Sequence, residues 1–184
     1  MIEIKTLEIA GLRGVLEALR LPFGKECRSK TEATFNVDVS NMMVNTSSSC
    51  VISPKDLKLL TTLIKRGDAH SKVLRGLTVW AEIESPVYWW VEAETHRMGH
   101  ERLSSSSTMH TDAKGLTGEE LVKCKSNIPM GKMMKKVDMF SYQCLRNIWL
   151  LRHDHRLPEW HDFCHWIENL PFAYDLIIPE YANE

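Results

Sequence analysis

The chain has 184 residues, a formal net charge of -1 at pH 7 and an isoelectric point near 6.7. This length allows one substantial core and predicts a single domain spanning residues 1–184. With 43% hydrophobic and 26% charged residues the composition is that of a globular protein, and the near-zero charge provides no broad field for nucleic acid or an anionic membrane. We therefore expect neither as a partner, and an anionic ligand would need a local group of basic side chains.

No apolar run approaches the ~20 residues of a membrane-spanning helix, and the first residues lack the pattern of a secretory signal. We therefore expect a cytoplasmic protein. The five cysteines are widely spaced and form no CxxC pair, which favours free buried thiols over disulfides or a cysteine zinc site.

In the first half of the chain, apolar side chains at a spacing near 3.6 predict a helix over residues 7–19 that ends before Pro22. The polar residues 24–49 predict a short strand and a surface loop. A serine cap, a proline and an acid in Ser53-Pro54-Lys55-Asp56 predict a helix over residues 54–66 that ends at Gly67.

Residues 77–83 alternate and are rich in β-formers, which predicts a strand. Ser85 and Pro86 repeat the cap-and-proline signal and predict a helix that runs until Gly99. Residues 102–118 are polar and indicate a loop, and residues 118–125 predict a short helix.

Near the end of the chain, Asp138 is typical of an N-cap and predicts a long helix over residues 139–153. Pro158 begins a last predicted helix, which is closed by Pro171. The elements together predict an α+β fold that is mainly helical, with little strand.

Two histidine pairs have the i,i+4 spacing at which a helix can present two metal ligands: His96 with His100 and His161 with His165. Gly99 interrupts the first pair, aromatic residues surround the second, and no HExxH pattern supplies a third ligand. We therefore expect no metal site.

Polar groups cluster after the aromatic residues 88–90, which are either core or a stacking surface. The serine run 104–107 is typical of a flexible loop, or its hydroxyl and N–H groups form a phosphate cradle with Arg97 or Arg102. Arg152 is either solvated or captures an anion, because a planar guanidinium presents paired donors.

The order of these features resembles the flavin-dependent thymidylate synthases, also called thymidylate synthase complementing proteins. In that family a helix, a histidine and a strand ending in Ser-Arg-Ala precede a helix that runs into an Arg-His-Arg motif and a serine-bearing loop. Here the predicted helix with His70, the strand 77–85, Thr95-His96-Arg97 and the serine run occupy those places. Arg152, followed by LPEW, resembles the family's late helix. The YWW…STMH and LRN…LPEW segments look closer still to small bacteriophage relatives.

The resemblance implies an α+β fold with a mixed or antiparallel sheet flanked by helices, assembled as a homotetramer with sites between subunits. It implies one-carbon transfer, methyl or hydroxymethyl, to a pyrimidine deoxynucleotide such as dUMP, with FAD as cofactor and a folate as carbon donor. The residues that would contact the flavin are His70, His96 and Gln143. Those that would hold the nucleotide are Arg97, Ser105 and Ser106 at the phosphate and Arg152 at the base edge. No catalytic residue is assigned.

Two departures from the family pattern keep other functions open. Thr95 stands where the first arginine of Arg-His-Arg would be, and Thr108 or His110 stands where an arginine would follow the serine run. One alternative is a noncatalytic relative that keeps a nucleotide pocket without flavin chemistry. The other is a structural or partner-binding protein whose aromatic residues are all core or interface.

Overall fold

The computed structural model describes residues 2–24, 30–38, 43–67 and 69–178, and for the strands between residues 30 and 51 it describes the backbone. The described strands are β1 (Glu3–Ala10), β2 (Lys30–Asp38), β3 (Met43–Val51), β4 (Thr78–Pro86), β5 (His100–Ser105) and β6 (Met133–Ser141). The described helices are α1 (Leu12–Arg20), α2 (Pro54–Lys65), α3 (Val73–Gly76), α4 (Val87–Ala93), α5 (Gly118–Ser126), α6 (Tyr142–Arg152), α7 (Pro158–Glu168) and α8 (Ala173–Leu176).

Four strands form one antiparallel sheet in the order β1-β4-β6-β5, while β2 and β3 pair as a separate antiparallel hairpin. The prediction of an α+β fold with helices beside a sheet is therefore confirmed, and within the described residues the sheet is purely antiparallel. Strand is more abundant than the sequence predicted.

The core lies between one face of the sheet and the helices. Along β4 every second side chain is buried, as expected for a strand with one covered face, and Val79, Ala81 and Ile83 are inaccessible to solvent. Trp89 of α4 packs against Trp160 and Phe163 of α7, with ring centroids 4.9 and 5.4 Å apart. This aromatic packing brings α4 and α7 together, although 71 positions separate Trp89 from Trp160.

The helix predicted over residues 54–66 is confirmed as α2. Ser53 is its N-cap and accepts a hydrogen bond from the Asp56 backbone N–H at 3.2 Å. Gly67 follows the helix with a φ of 90°, a left-handed conformation that glycine adopts without strain. The short helix at residues 118–125 and the helix that begins at Pro158 are confirmed as α5 and α7.

The first predicted helix is wrong in its first residues, because residues 7–10 belong to β1 and the helix begins only at Leu12. Gly11 separates the two elements with a φ of 91°. A Cβ at this position would lie 1.8 Å from the Gly76 carbonyl oxygen, so no other residue fits here. The apolar spacing continues across Gly11 and conceals the break.

The predictions between residues 85 and 153 need three further corrections. Ser85 and Pro86 end β4 rather than starting a helix, and α4 stops at Ala93. The segment expected to be a loop begins with the edge strand β5. Asp138 lies inside β6, and the cap of α6 is Ser141, whose hydroxyl accepts from the Cys144 N–H at 3.1 Å. In β6 the buried positions include Lys136 and Asp138, so the strand lacks the usual apolar alternation.

Three cysteines can be compared with the prediction of free buried thiols. Cys144 and Cys164 are buried and free, and Cys124 is free but partly exposed. Burial raises the pKa of both buried thiols to about 12. Cys27 and the side chain of Cys50 lie outside the described residues. None of the helices in the described part of the chain is long and apolar enough to cross a bilayer.

Candidate functional site

Arg152, at the C-terminal end of α6, is held in a fixed orientation by groups from two other segments. Its Nε lies 3.3 Å from Nε2 of His96, and its Nη1 lies 3.4 Å from Oε2 of Glu92. The guanidinium carbon lies 4.7 Å from the centroid of the Trp160 ring, which adds a cation–π contact. An arginine restrained on three sides loses less conformational entropy when it binds a ligand.

Glu92 of α4 is the centre of this group. Its Oε2 also accepts a hydrogen bond from Trp160 Nε1 at 2.9 Å, and His155 Nε2 lies 3.6 Å away. The name arginine cluster is used below for these five residues: Glu92, His96, Arg152, His155 and Trp160. A carboxylate beneath a guanidinium fixes its direction and partly balances its charge.

The arginine cluster keeps hydrogen-bonding capacity for a ligand. A guanidinium has five N–H donors, and Arg152 uses two of them in contacts with His96 and Glu92. Its side chain is 20% exposed and that of Glu92 is 35% exposed, so the cluster lies at an opening to solvent. The remaining donors can bind a phosphate or the carbonyl edge of a planar base.

His96 is a hydrogen-bond acceptor in this cluster. Burial is the largest cause that lowers the pKa of His96, and the neighbouring Arg152 and His100 lower it further. Because the Arg152 Nε–H can only donate, Nε2 of His96 carries a lone pair and the ring proton lies on Nδ1. A neutral imidazole at this position adds no positive charge beside the guanidinium.

The turn that carries His96 lies beyond α4, between residues 94 and 99, and it is attached to the start of α6. The carbonyl of Gly99 accepts a hydrogen bond from the Ser141 N–H at 2.7 Å. Gly99 has a φ of 78°, and a Cβ there would lie 2.2 Å from the Ser141 hydroxyl oxygen. The turn therefore approaches α6 closely enough that His96 reaches Arg152 at the other end of the helix.

Arg97 occupies the same turn, and within the described residues its side chain shares no hydrogen bond or ion pair with the arginine cluster. Its side chain is exposed, and its Nε lies 3.5 Å from the Glu94 carbonyl oxygen. The rest of its guanidinium is available to solvent, so an anion can approach Arg97 from the surface.

The serine run forms an ordered end to β5 rather than a flexible loop. Ser106 donates its N–H to the Lys135 carbonyl at 2.7 Å, and its hydroxyl accepts from the Lys135 N–H at 3.0 Å. Ser107 Oγ accepts from the Met109 N–H at 3.2 Å. Ser105 is exposed at the end of the strand. Within the described residues these serines share no hydrogen bond with the arginine cluster.

Two of the three residues expected at a flavin, His70 and Gln143, lie near the first turn of α6, whereas the His96 ring lies at Arg152, near the end of that helix. Gln143 accepts from the Ser71 hydroxyl at 3.1 Å and donates to Asn147 at 3.2 Å. His70, the neighbour of Ser71, is exposed. Cys144, the neighbour of Gln143, places its Sγ 3.9 Å from the His96 carbonyl oxygen. Ser71 and Cys144 thus connect the three residues only indirectly, and no hydrogen bond joins any two of them within the described structure.

Three members of the arginine cluster, Glu92, His155 and Trp160, are not among the site residues predicted from the sequence. The sequence signal that could have indicated Trp160 is its indole N–H, a donor that needs an acceptor when the ring is buried. The histidine spacing does not indicate a metal: His96 faces Arg152, and His100 Nε2 lies 2.7 Å from Asp138. Among the described residues no three His, Cys, Asp or Glu side chains are arranged to hold a metal ion.

Comparison with known proteins gives similarity in structure but not in sequence. No protein-family model matches the chain, and no curated protein sequence matches it. A solved structure of the flavin-dependent thymidylate synthase ThyX from Helicobacter pylori, complexed with FAD and dUMP, superposes with a TM-score of 0.64 and 16% identity over 95% of this chain and 97% of that one. A second structure of that enzyme with the same ligands gives 0.66 and 14% over the full length of both chains.

The chain has the flavin-dependent thymidylate synthase fold. The UMP/dUMP methylase PolB from Streptomyces cacaoi, bound with 5-Br dUMP, is also similar, with a TM-score of 0.63 and 10% identity over 96% of this chain and 94% of that one. The fold expected from the resemblance is thus confirmed over 94 to 100% of the length of these chains.

Proposed function

We propose that this protein transfers a one-carbon group, methyl or hydroxymethyl, to a pyrimidine deoxynucleotide such as dUMP in a flavin-dependent reaction. The observation that carries the proposal is the restrained, partly exposed Arg152, which lies in a chain that matches 97% and 94% of the length of two nucleotide-bound proteins. Identity of 10 to 16% supports a divergent relative, and we propose the bacteriophage type.

The base of the nucleotide would bind at the arginine cluster, and its phosphate would extend to the neighbouring surface that carries Arg97. In this arrangement Arg152 donates to the carbonyl edge of the base, and Trp160 supports the guanidinium from behind. Arg97, Ser105 and Ser106 would hold the phosphate through one charged side chain, hydroxyl groups and backbone N–H groups. Shape and hydrogen bonds, rather than a general basic surface, would select the ligand, since the chain has a net charge of only -1.

The residues at the first turn of α6 are chemically suited to a flavin. The ring system of FAD has both donors and acceptors along its polar edge, and Gln143 offers an amide while His70, next to Ser71, offers an imidazole. The His96 imidazole lies farther along α6, at Arg152, and would meet a different part of the cofactor. Gln143 is already oriented by Ser71 and Asn147, as expected for a positioned binding residue. A folate would supply the carbon, and the flavin, once reduced by an external reductant, would supply the hydride that a methyl product requires. The protein would bind and orient the reactants.

We also propose that the chain acts as one domain in a cytoplasmic homotetramer whose sites lie between subunits. Three strongly exposed apolar side chains directly neighbour site residues: Val91 beside Glu92, Met98 beside Arg97 and Leu151 beside Arg152, at 57%, 84% and 68% exposure. Large exposed apolar groups of this kind mark contact surfaces. A second copy covering them would complete the rim of each site and bring further polar groups to the nucleotide.

A noncatalytic nucleotide-binding protein is the second candidate. Thr95 replaces an arginine of the family motif, and the Ser106 hydroxyl is already engaged by β6, which reduces the groups free to hold phosphate. Such a protein would bind a pyrimidine nucleotide through the arginine cluster without using FAD. A structural or partner-binding protein, the third possibility, would bind neither ligand.

Absorbance of the purified protein, followed by titration with FAD and calorimetry with dUMP and dCMP, separates the three candidates. The proposed enzyme binds both FAD and a nucleotide, and it forms a modified pyrimidine when a folate donor and a reductant are added. Nucleotide binding without FAD binding would contradict the proposed enzyme and favour the noncatalytic nucleotide-binding protein. Absence of both would refute a nucleotide function.

A further inference from the structure

A buried histidine–aspartate pair lies directly beneath the turn that carries His96. His100 Nε2 lies 2.7 Å from Asp138 Oδ2, and His100 Nδ1 lies 3.1 Å from the His96 carbonyl oxygen. The Asp138 side chain is fully buried and the His100 side chain is 6% exposed. The His100 ring also stacks on Phe140, with centroids 4.5 Å apart. Both ring nitrogens of His100 are therefore used to join β6 to the turn.

The partners of His100 indicate how its protons are placed. A carbonyl oxygen only accepts, so Nδ1 of His100 carries a proton toward His96. Nε2 and the Asp138 carboxyl group share one further proton, and the pair has no net charge whichever atom holds it. Burying a pair without net charge costs far less free energy than burying a lone carboxylate. The pair is therefore suited to remain inside the protein.

The charged groups around the pair come from β5, β6 and the end of α4. Arg102 Nε lies 3.6 Å from the second oxygen of Asp138, and Arg102 Nη1 lies 2.8 Å from Glu94 Oε1. Lys136 Nζ donates to the same Glu94 oxygen at 2.9 Å. These contacts attach the end of α4 to the sheet immediately before the turn, so the pair acts on a segment that is already restrained at its start.

We propose that His100 and Asp138 are positioning residues for the arginine cluster. They hold the backbone carbonyl of His96 so that its imidazole meets Arg152, and this contact sets the direction of the guanidinium. The path is continuous: Asp138 to His100, His100 to the His96 carbonyl, and the His96 ring to Arg152. The consequence for ligand binding rests on the proposed nucleotide function, whereas the positioning itself does not.

The double variant His100→Phe, Asp138→Leu tests this directly. It keeps an aromatic ring against Phe140. Because both members of the pair become apolar, neither is left buried without its hydrogen-bond partner, and the loss of stability is limited. Asp138→Asn is the conservative variant, because its amide can donate to Nε2 while Nδ1 still donates to His96. Glu101→Ala, at an exposed position of β5, is the matched control.

Two measurements on these variants test the positioning role of His100 and Asp138. In nuclear magnetic resonance of the ligand-free protein, the Arg152 Nε–H signal should be protected from exchange in the wild type, Asp138→Asn and Glu101→Ala, and lost in the double variant. In calorimetry the double variant should bind dUMP about tenfold more weakly, the factor for one hydrogen bond of about 1.4 kcal/mol. The other two variants should stay within about twofold of the wild type.

A double variant with the wild-type Arg152 signal would overturn the positioning role. If the wild type binds no nucleotide, the proposed function fails, while the resonance comparison still decides the positioning role. His100→Gln serves if circular dichroism shows that the double variant is unfolded. Both polar atoms of an amide lie at one end of the side chain, so glutamine can bind Asp138 but cannot also hold the His96 carbonyl. Loss of the Arg152 signal in that variant supports the proposal, and its retention contradicts it.

Discussion

Replacing Arg152 by alanine is expected to remove tight nucleotide binding and to change the stability of the protein only slightly. The guanidinium uses two of its five N–H groups within the chain, which leaves up to three for a ligand. Loss of two charge-assisted hydrogen bonds to the nucleotide, at about 1.5 kcal/mol each, amounts to about 3 kcal/mol. That difference corresponds to roughly a hundredfold weaker binding.

The effect on folding should be much smaller. The ion pair of Arg152 with Glu92 is partly exposed, at 20% and 35%, and pairs of this kind contribute about 0.5 kcal/mol after solvent screening. The cation–π contact with Trp160 contributes about 0.5 kcal/mol more. The total of about 1 kcal/mol corresponds to a decrease in Tm of roughly 3 °C for a domain of this size.

Calorimetric titration with dUMP and thermal unfolding by circular dichroism measure the two effects separately. Arg152→Lys keeps the charge but loses the planar fork, and we expect it to bind almost as weakly as the alanine variant. Arg156→Ala, an exposed arginine four residues further along the chain, is the matched control and should bind normally. The reasoning is refuted if Arg152→Ala binds dUMP within twofold of the wild type.

Three other predictions concern single features of the structure. Because the pKa of His96 is lowered in the folded protein, stability should fall as pH decreases below about 6.5, where the unfolded chain begins to take up this proton. The affinity for dUMP should fall only at still lower pH, where His96 of the folded protein is itself protonated and can no longer accept from Arg152. His96→Gln should weaken both dependences in pH-resolved titrations. Gly11→Ala should lower the free energy of unfolding by about 3 kcal/mol in urea denaturation. Gly115→Ala is the control, because Gly115 has a similar φ but a Cβ there would meet no atom within 4 Å, and it should cost about 1 kcal/mol. Equal losses of stability in the two variants would contradict this prediction. Cys144 and Cys164, whose pKa values are raised to about 12, should resist iodoacetamide at pH 8 in the native protein and react only after denaturation, as read by peptide mass spectrometry.

Local sequence signals predicted the elements whose ends are determined by neighbouring residues. Ser53 and Pro54 define the start of α2 because cap and proline act within one helical turn. The same signal at Ser85 and Pro86 was misleading, since both residues continue a strand paired with β6. Pairing with a distant strand outweighs a local preference, and a local pattern does not report it.

The strand β6 was missed because its inward positions carry charged side chains. Lys136 and Asp138 face the interior through contacts with Glu94 and His100. A period-two pattern appears in a sequence only when the buried positions are apolar. The charged residues that remove the apolar pattern of β6 include Asp138, which with His100 we propose to position the arginine cluster.

The site itself was predictable only in part. Resemblance to a known family assigned His96 to the flavin and Arg152 to the nucleotide, and the structure brings the two side chains into contact. Glu92 and Trp160 meet across 68 positions of sequence, and no local spacing indicates such a contact. The ligand assignments of all seven residues remain predictions: His70, His96 and Gln143 for the flavin, and Arg97, Ser105, Ser106 and Arg152 for the nucleotide.

A crystal structure of the protein with dUMP and FAD tests the central claim most directly. We predict that the pyrimidine edge contacts the Arg152 guanidinium, that the phosphate lies beside Arg97 and Ser105, and that the flavin lies near Gln143. A nucleotide bound away from the arginine cluster, or a crystal grown at saturating dUMP with the cluster unliganded, would contradict the claim.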